Sequence, residues 1–262
     1  MDFSQTWLEA INDVLANGEL VAPRGKVTKE LPQRTMVVDM RRPVLLVPER
    51  RLSYRFMVAE AYWILSGDDT VAGIAPYNSR IAEFSDDGQR FFGAYGPKIL
   101  GQLDYVVAKL KADHDTRQAG LTIWRENPPA TKDVPCTVAI FFSLRGMALN
   151  AHVFMRSSDI WLGVPYDVFN FSMLSHLVCG LLNDQRASDD VYAPGKLYLT
   201  AASSHLYEPN WADARLCLHS SVGKQVPTPK LLWNDHRALM DQLKKLRDTL
   251  SGHESRWWEW PV

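Results

Sequence analysis

Cys136 sits in the segment Asp133-Val134-Pro135-Cys136-Thr137, at the entry to an apolar run of strand length. A cysteine behind a proline at a strand entry can be held exposed at a cleft. It becomes a nucleophile where nearby cations stabilise its thiolate; otherwise it is a buried structural cysteine. Glu60 lies inside the apolar run 56–65. Burial raises a carboxyl pKa, which suits a general acid/base working through water; the plainer alternative puts Glu60 on the one wet stripe of a helix. Arg156-Ser157-Ser158-Asp159 follows an alternating segment. An arginine with hydroxyls at a strand end can clamp a phosphate in fork geometry, or it is a solvated turn with a local ion pair. Asp167 falls in the first turn of a long apolar segment, where a carboxylate complements the helix dipole. In Ser203-Ser204-His205-Leu206-Tyr207 the His and Tyr are two apart. On an extended backbone both project to one face, as two donors for a sugar hydroxyl, or they sit in an ordinary polar loop.

The periodicity predicts the elements that position these residues. Phe3, Trp7, Ala10, Ile11, Val14 and Leu15 predict an amphipathic helix over 3–16, ended by Asn17-Gly18. Residues 35–48 read as β structure interrupted by Arg41-Arg42-Pro43. Residues 55–66 read as a buried helix, 75–96 as a long functional loop, and 97–112 as a helix. Strands are expected at 119–124, 137–144, 147–155 and 196–201, with Arg145-Gly146 as a turn. Residues 166–183 are apolar enough for a buried helix. A last helix at 231–250 carries the stripe Leu232, His236, Leu239, Leu243, Leu246, Leu250. With no internal repeat or linker, residues 1–262 read as one α+β domain, helices around a largely antiparallel sheet.

The 262 residues are 46% hydrophobic and 23% charged, enough for a large core. Lys plus Arg is 29 and Asp plus Glu is 30, so the chain lacks the basic excess of a general nucleic-acid binder. Anions must be held by placed arginines. Cys136, Cys179 and Cys217 form neither a disulfide framework nor a zinc-ligand pattern. No signal peptide or membrane span is visible, and a reducing cytoplasm is the expected compartment.

Six segments together resemble the thymidylate synthase family. They are Glu60-Ala61-Tyr62-Trp63-Ile64-Leu65-Ser66-Gly67-Asp68, Tyr95-Gly96, Asp115-Thr116-Arg117-Gln118, Pro135-Cys136, the run from Arg156 to Pro165, and His205-Leu206-Tyr207. They fall in the family's order across roughly 3–210. The resemblance implies that Cys136 adds to C6 of a pyrimidine nucleotide and makes C5 nucleophilic toward the one-carbon unit of 5,10-methylenetetrahydrofolate. It implies that Arg24, Arg156 and Ser157 hold the 5′-phosphate, joined by Arg117 from the other subunit of a homodimer. His205 and Tyr207 would bind the sugar 3′-hydroxyl, and Glu60 would order water. Tyr95 would belong to the catalytic set, and Asp159, Leu162 and Gly163 would line the folate site. The four to five charge-assisted bonds to the phosphate dianion are expected to depress the thiol pKa of Cys136.

The departures point to the base. The uracil-specific synthases carry Asn where this chain has Asp167. A carboxylate accepts from the exocyclic amine of cytosine and shares a proton with N3, whereas it opposes O4 of uracil. Asp167, Met155 and Thr137 resemble the phage-type deoxycytidylate hydroxymethylases of the family. The loop 75–80 lacks the family's shielding tryptophan, Gln118 replaces a second arginine, Ala202-Ser203 replaces Gly-Asp, and the tail 257–262 does not match. The expected activity is 5-hydroxymethylation of a cytosine nucleotide, dCMP before CMP. The alternatives are dCMP 5-methylation, then ordinary dUMP methylation. From another class comes a non-catalytic nucleotide- or RNA-binding relative, against which Cys136, Glu60 and the arginines argue. Neither nucleic acid nor membrane is an expected partner.

Overall fold

The computed structural model describes residues 2–184, 186 and 190–250. Its seven strands make one mixed sheet. The order across it is β1 (Glu19–Val21), β2 (Thr28–Asp39), β7 (Ala193–Tyr207), β5 (Ala148–Met155), β4 (Thr137–Arg145) and β3 (Gly120–Thr122). A short β6 (Ser158–Asp159) runs parallel to β7 beyond the end of β5. The β5–β7 pair is parallel too; the other pairs are antiparallel. The helices are α1 (Phe3–Asn17), α2 (Tyr54–Leu65), α3 (Val71–Ile74), α4 (Tyr95–Ala112), α5 (Val164–Asn183), α6 (Trp211–Cys217), α7 (Leu231–Asn234) and α8 (His236–Thr249). No helix among the described residues is long and apolar enough to cross a membrane.

Strand side chains alternate between faces, and the two faces of this sheet differ. Ile140, Phe142 and Leu144 of β4, with Leu149, Ala151, Val153 and Met155 of β5, are buried. The opposite face leaves Phe141 41% and Phe154 46% exposed, beside the stacked rings of His152 and Tyr198. Helix α5 is the hub of the core, packed on α2, α7, α8, β5 and β7. Its residues from Val168 to Gly180 are all buried, as an all-round apolar sequence requires.

Several boundaries differ from the sequence expectations. The strand expected at 35–48 starts at Thr28 and stops at Asp39. There the Asp39 carboxylate accepts from Arg41 and Arg42 and turns the chain. Val44, Leu45, Leu46 and Val47 are buried outside the sheet; the Leu46 N–H donates to Ser4 Oγ instead. The strand expected at 196–201 extends to 193–207 and takes in His205 and Tyr207. The loop 75–96 contains a 3-10 stretch, Ser79–Phe84, and α4 begins at Tyr95. The last helix breaks at Asp235, whose side chain caps α8 by accepting from the Arg237 and Ala238 N–H groups. Of the expected inner stripe, the five leucines are buried, and His236 is half-buried. The tail 257–262 lies outside the described residues.

Candidate active site

Cys136 precedes β4 and is half-buried. Arg156, just after β5, ties that segment down. Its N–H donates to Cys136 O at 2.9 Å, its Nε to Pro135 O at 2.9 Å and its Nη2 to Val134 O at 2.9 Å. The same Nη2 lies 3.7 Å from Cys136 Sγ. Arg24 sits on an exposed turn between β1 and β2, in the left-handed region at φ 53°. Both arginines favour the thiolate. Burial, with Asp167 and Asp133 nearby, pushes the Cys136 thiol above its ordinary value. Desolvation outweighs the two cations here, so at neutral pH the thiol keeps its proton.

A second group converges from α2 and α5. Asp167 and Asn170 stand three apart on α5, hence on one face. Asn170 Nδ2 donates to Glu60 Oε2 at 2.7 Å. Burial pushes Glu60 up to about 7, with the Asn170 bond opposing it. Asp167 rises well above the carboxylate range through burial and the neighbouring Glu60 and Asp159 carboxyls. Asp167 is no helix cap: Gly163 holds the cap position and no side chain bonds there. Glu60, Asp167 and Asn170 line a cavity of about 190 Å³, walled by Trp63, Ile64, Ile81, Phe84, Phe91 and Phe171 and bounded by Tyr95 and Asp133. Tyr95 links this cavity to the Cys136 segment, its Oη accepting the Thr137 N–H at 3.1 Å. Burial and the adjacent Asp167 and Cys136 raise the phenol, which therefore stays protonated.

The remaining predicted residues divide between two faces. His205 and Tyr207 share one face of β7 with rings edge-to-face at 5.1 Å, as extended backbone requires. Ser203 on the same face donates to Glu30 Oε2 at 2.6 Å and lies 3.4 Å from His205 Nδ1. Asp159 Oδ1 accepts from the Trp161 and Leu162 N–H groups at 2.8 and 2.9 Å, which sets the turn into α5. Arg50 buttresses that turn through Trp161 O at 2.8 Å. Leu162 is 55% exposed, and a Cβ on Gly163 would come within 3.1 Å of Asp167 Oδ2. Ser157 is half-buried between β5 and β6. Arg117 is not part of this grouping. It lines a shallow cleft with Phe141, Arg145, His152 and Phe154 on the outer sheet face.

Sequence reasoning missed Asn170, Asp133 and Glu30. Asn170 is a polar residue inside an apolar run, three after Asp167, and that spacing was a usable signal. Asp133 Oδ2 accepts the Gly93 N–H at 2.6 Å and closes the cavity rim. Glu30 comes from a strand far away in sequence, and only the β2–β7 register, which sets it opposite His205, brings it in.

The family description for thymidylate synthase matches residues 5–249. A deoxyuridylate hydroxymethyltransferase of Bacillus phage SP01 is 34% identical over 184 residues, 61% of this chain and 47% of that protein. The chain thus spans about half the length of that curated relative. With the family pattern running from the first helix into the last, the chain belongs to the thymidylate synthase family, whose one-carbon donor is 5,10-methylenetetrahydrofolate.

Proposed function

We propose that this protein is a single catalytic domain that transfers the one-carbon unit of 5,10-methylenetetrahydrofolate to C5 of a cytosine nucleotide, dCMP, and releases the 5-hydroxymethyl product. Asp167 carries the reading. Its carboxyl is buried in the cavity, bonds to no helix end, and is pushed toward the protonated form by burial and the neighbouring Glu60 and Asp159 carboxyls. A protonated carboxyl donates to cytosine N3 and accepts from the exocyclic amine. With uracil the same proton would go to O4, a much weaker base than N3, so cytosine is preferred.

The residues fit a folate. Trp63, Ile81, Phe84 and Phe91 offer apolar walls for a flat heteroaromatic ring, and Asp159, Leu162 and Gly163 would hold it at the rim. Bound there, it supplies a carbon at the oxidation level of formaldehyde. The chain's own groups do the rest. Arg24, Arg156 and Ser157 take the 5′-phosphate, and His205 and Tyr207 take the 3′-hydroxyl. Arg156 stabilises the Cys136 thiolate as Sγ bonds C6. Tyr95 holds a proton beside Cys136, and Glu60, with its pKa near 7, accepts and returns protons through water.

The outer sheet face, with Phe141, Phe154 and His152 around Arg117, supports a homodimer that donates Arg117 to the partner subunit's phosphate site. A second reading, dUMP as substrate, is favoured by the name of the phage relative. Mass spectrometry of products from dCMP, CMP and dUMP with methylenetetrahydrofolate tests the proposal. A gain of CH2O from dCMP supports it. A gain of CH2 means methylation, and turnover of dUMP in preference to dCMP overturns the cytosine assignment.

A further inference from the structure

The cavity wall carries a polar atom that the chemistry above leaves unused. Asn170 is 6% exposed. Its Nδ2 is spent on Glu60, while its Oδ1 is buried with no hydrogen-bond partner among the described residues. Buried acceptors are rarely left without a donor, and leaving one so is costly. Here the acceptor belongs to a cavity-lining residue, bonded to one carboxyl and three positions along α5 from another. The occupant must therefore bring an O–H or N–H donor to a place beside Glu60.

Building on the hydroxymethylation reading, we propose that Asn170 Oδ1 and Glu60 jointly hold the oxygen that becomes the product's hydroxyl, first as water and then as the hydroxymethyl group. A water that donates one hydrogen to Glu60 and the other to Asn170 Oδ1 turns a lone pair away from both. That lone pair faces the exocyclic methylene at C5 of the Cys136 adduct. As the oxygen bonds the methylene carbon, the methylene π pair re-forms C5=C6. The C6–Sγ bond breaks, its pair returns to Cys136, and the water's proton passes to Glu60. No oxidant or reductant is needed. The hydroxyl so formed keeps its remaining hydrogen on Asn170 Oδ1. Asn170 is thus a positioning residue that commits the intermediate to hydration.

The test reads binding without folate as well as turnover. Calorimetry compares 5-hydroxymethyl-dCMP with 5-methyl-dCMP on the native chain, Asn170→Leu and Asn170→Ser. The native chain should bind the hydroxymethyl form about tenfold tighter, one charge-free hydrogen bond expressed as affinity. Asn170→Leu should bind the two alike, and Asn170→Ser, which keeps an acceptor, should fall between; if the leucine variant does not fold, the serine variant carries the comparison. In turnover, the ratio of hydroxymethyl product to tritium released from C5 should drop at least tenfold in Asn170→Leu. Equal binding of the two nucleotides by the native chain, or an unchanged preference in the variants, overturns the role of Asn170 and leaves hydroxymethylation standing. Native turnover of dCMP to a product heavier by CH2 overturns the hydroxymethylation reading itself, and this inference with it.

Discussion

Replacing Glu60 by glutamine should make the protein more stable, and by an amount that depends on pH. The side chain lies in a cavity with one donor, Asn170 Nδ2, and burial moves its carboxyl from 4.5 to about 7. Below about pH 4.5 the acid is neutral folded and unfolded, and burial costs nothing extra. As pH rises toward 7 the unfolded chain releases its proton while the folded chain retains it, so stability falls across that window. Each tenfold change in proton affinity is worth about 1.4 kcal/mol, which gives at most about 3 kcal/mol lost by pH 7 and above. Glutamine has the same shape, still accepts from Asn170 and does not titrate. The stability difference between Glu60→Gln and the native chain should therefore grow by up to about 3 kcal/mol between pH 4.5 and 7, roughly 6–12 °C in Tm for a chain of this length. Thermal and urea denaturation of both forms at pH 4.5, 5.5, 6.5 and 7.5 measures it, and turnover should be lost in the same variant. A difference that stays flat over this range would refute the desolvated carboxyl, and with it the proton-transfer role assigned to Glu60.

Three further outcomes follow from the site. Asp167→Asn should shift kcat/KM from dCMP toward dUMP by up to about tenfold, because the hydrogen bond from a protonated carboxyl to cytosine N3 joins neutral groups and is worth about 0.5–1.5 kcal/mol; an unchanged ratio of the two substrates would sink the cytosine assignment. Cys136→Ser should retain nucleotide binding by calorimetry and lose turnover, since an alcohol is a far poorer nucleophile than a thiolate, and full activity would remove the covalent mechanism. Mixing inactive Arg117→Ala with inactive Cys136→Ala under subunit exchange should restore part of the activity in hybrid dimers; no recovery would put Arg117 outside the phosphate site.

Much of this site was legible because its parts are local. Cys136, Arg156 and Asp167 each sit at the end of an element whose periodicity the sequence displays, and the structure brings them within electrostatic reach of one another. The α+β sheet and its buried helices follow from the same alternation. What escaped depends on pairing across the chain. Nothing in residues 44–47 says that an apolar run flanked by two valines will be tied to Ser4 and not to a strand. The length of β7 is set by β2, β5 and β6 on its two edges, so its ends could not be read from its own residues. The raised thiol of Cys136 was hidden for a similar reason: cations are visible in a sequence, while the depth of burial that outweighs them is not.

The β2–β7 ladder also has a consequence for biogenesis. Thr35 and Thr200 bond across it from positions 165 apart, and β7 joins the β1–β2 pair to β5, β4 and β3. During synthesis β2 emerges early, and its partner edge stays open until β7 has left the ribosome. Contacts of such long sequence separation close slowly, and unpaired strand edges are prone to association in the interval. His205 and Tyr207, on the last turns of that ladder, are set in place at the end of this process. A nascent or truncated chain therefore cannot assemble the His205–Tyr207 face, and the sugar contact proposed for it belongs only to chains that have completed their sheet.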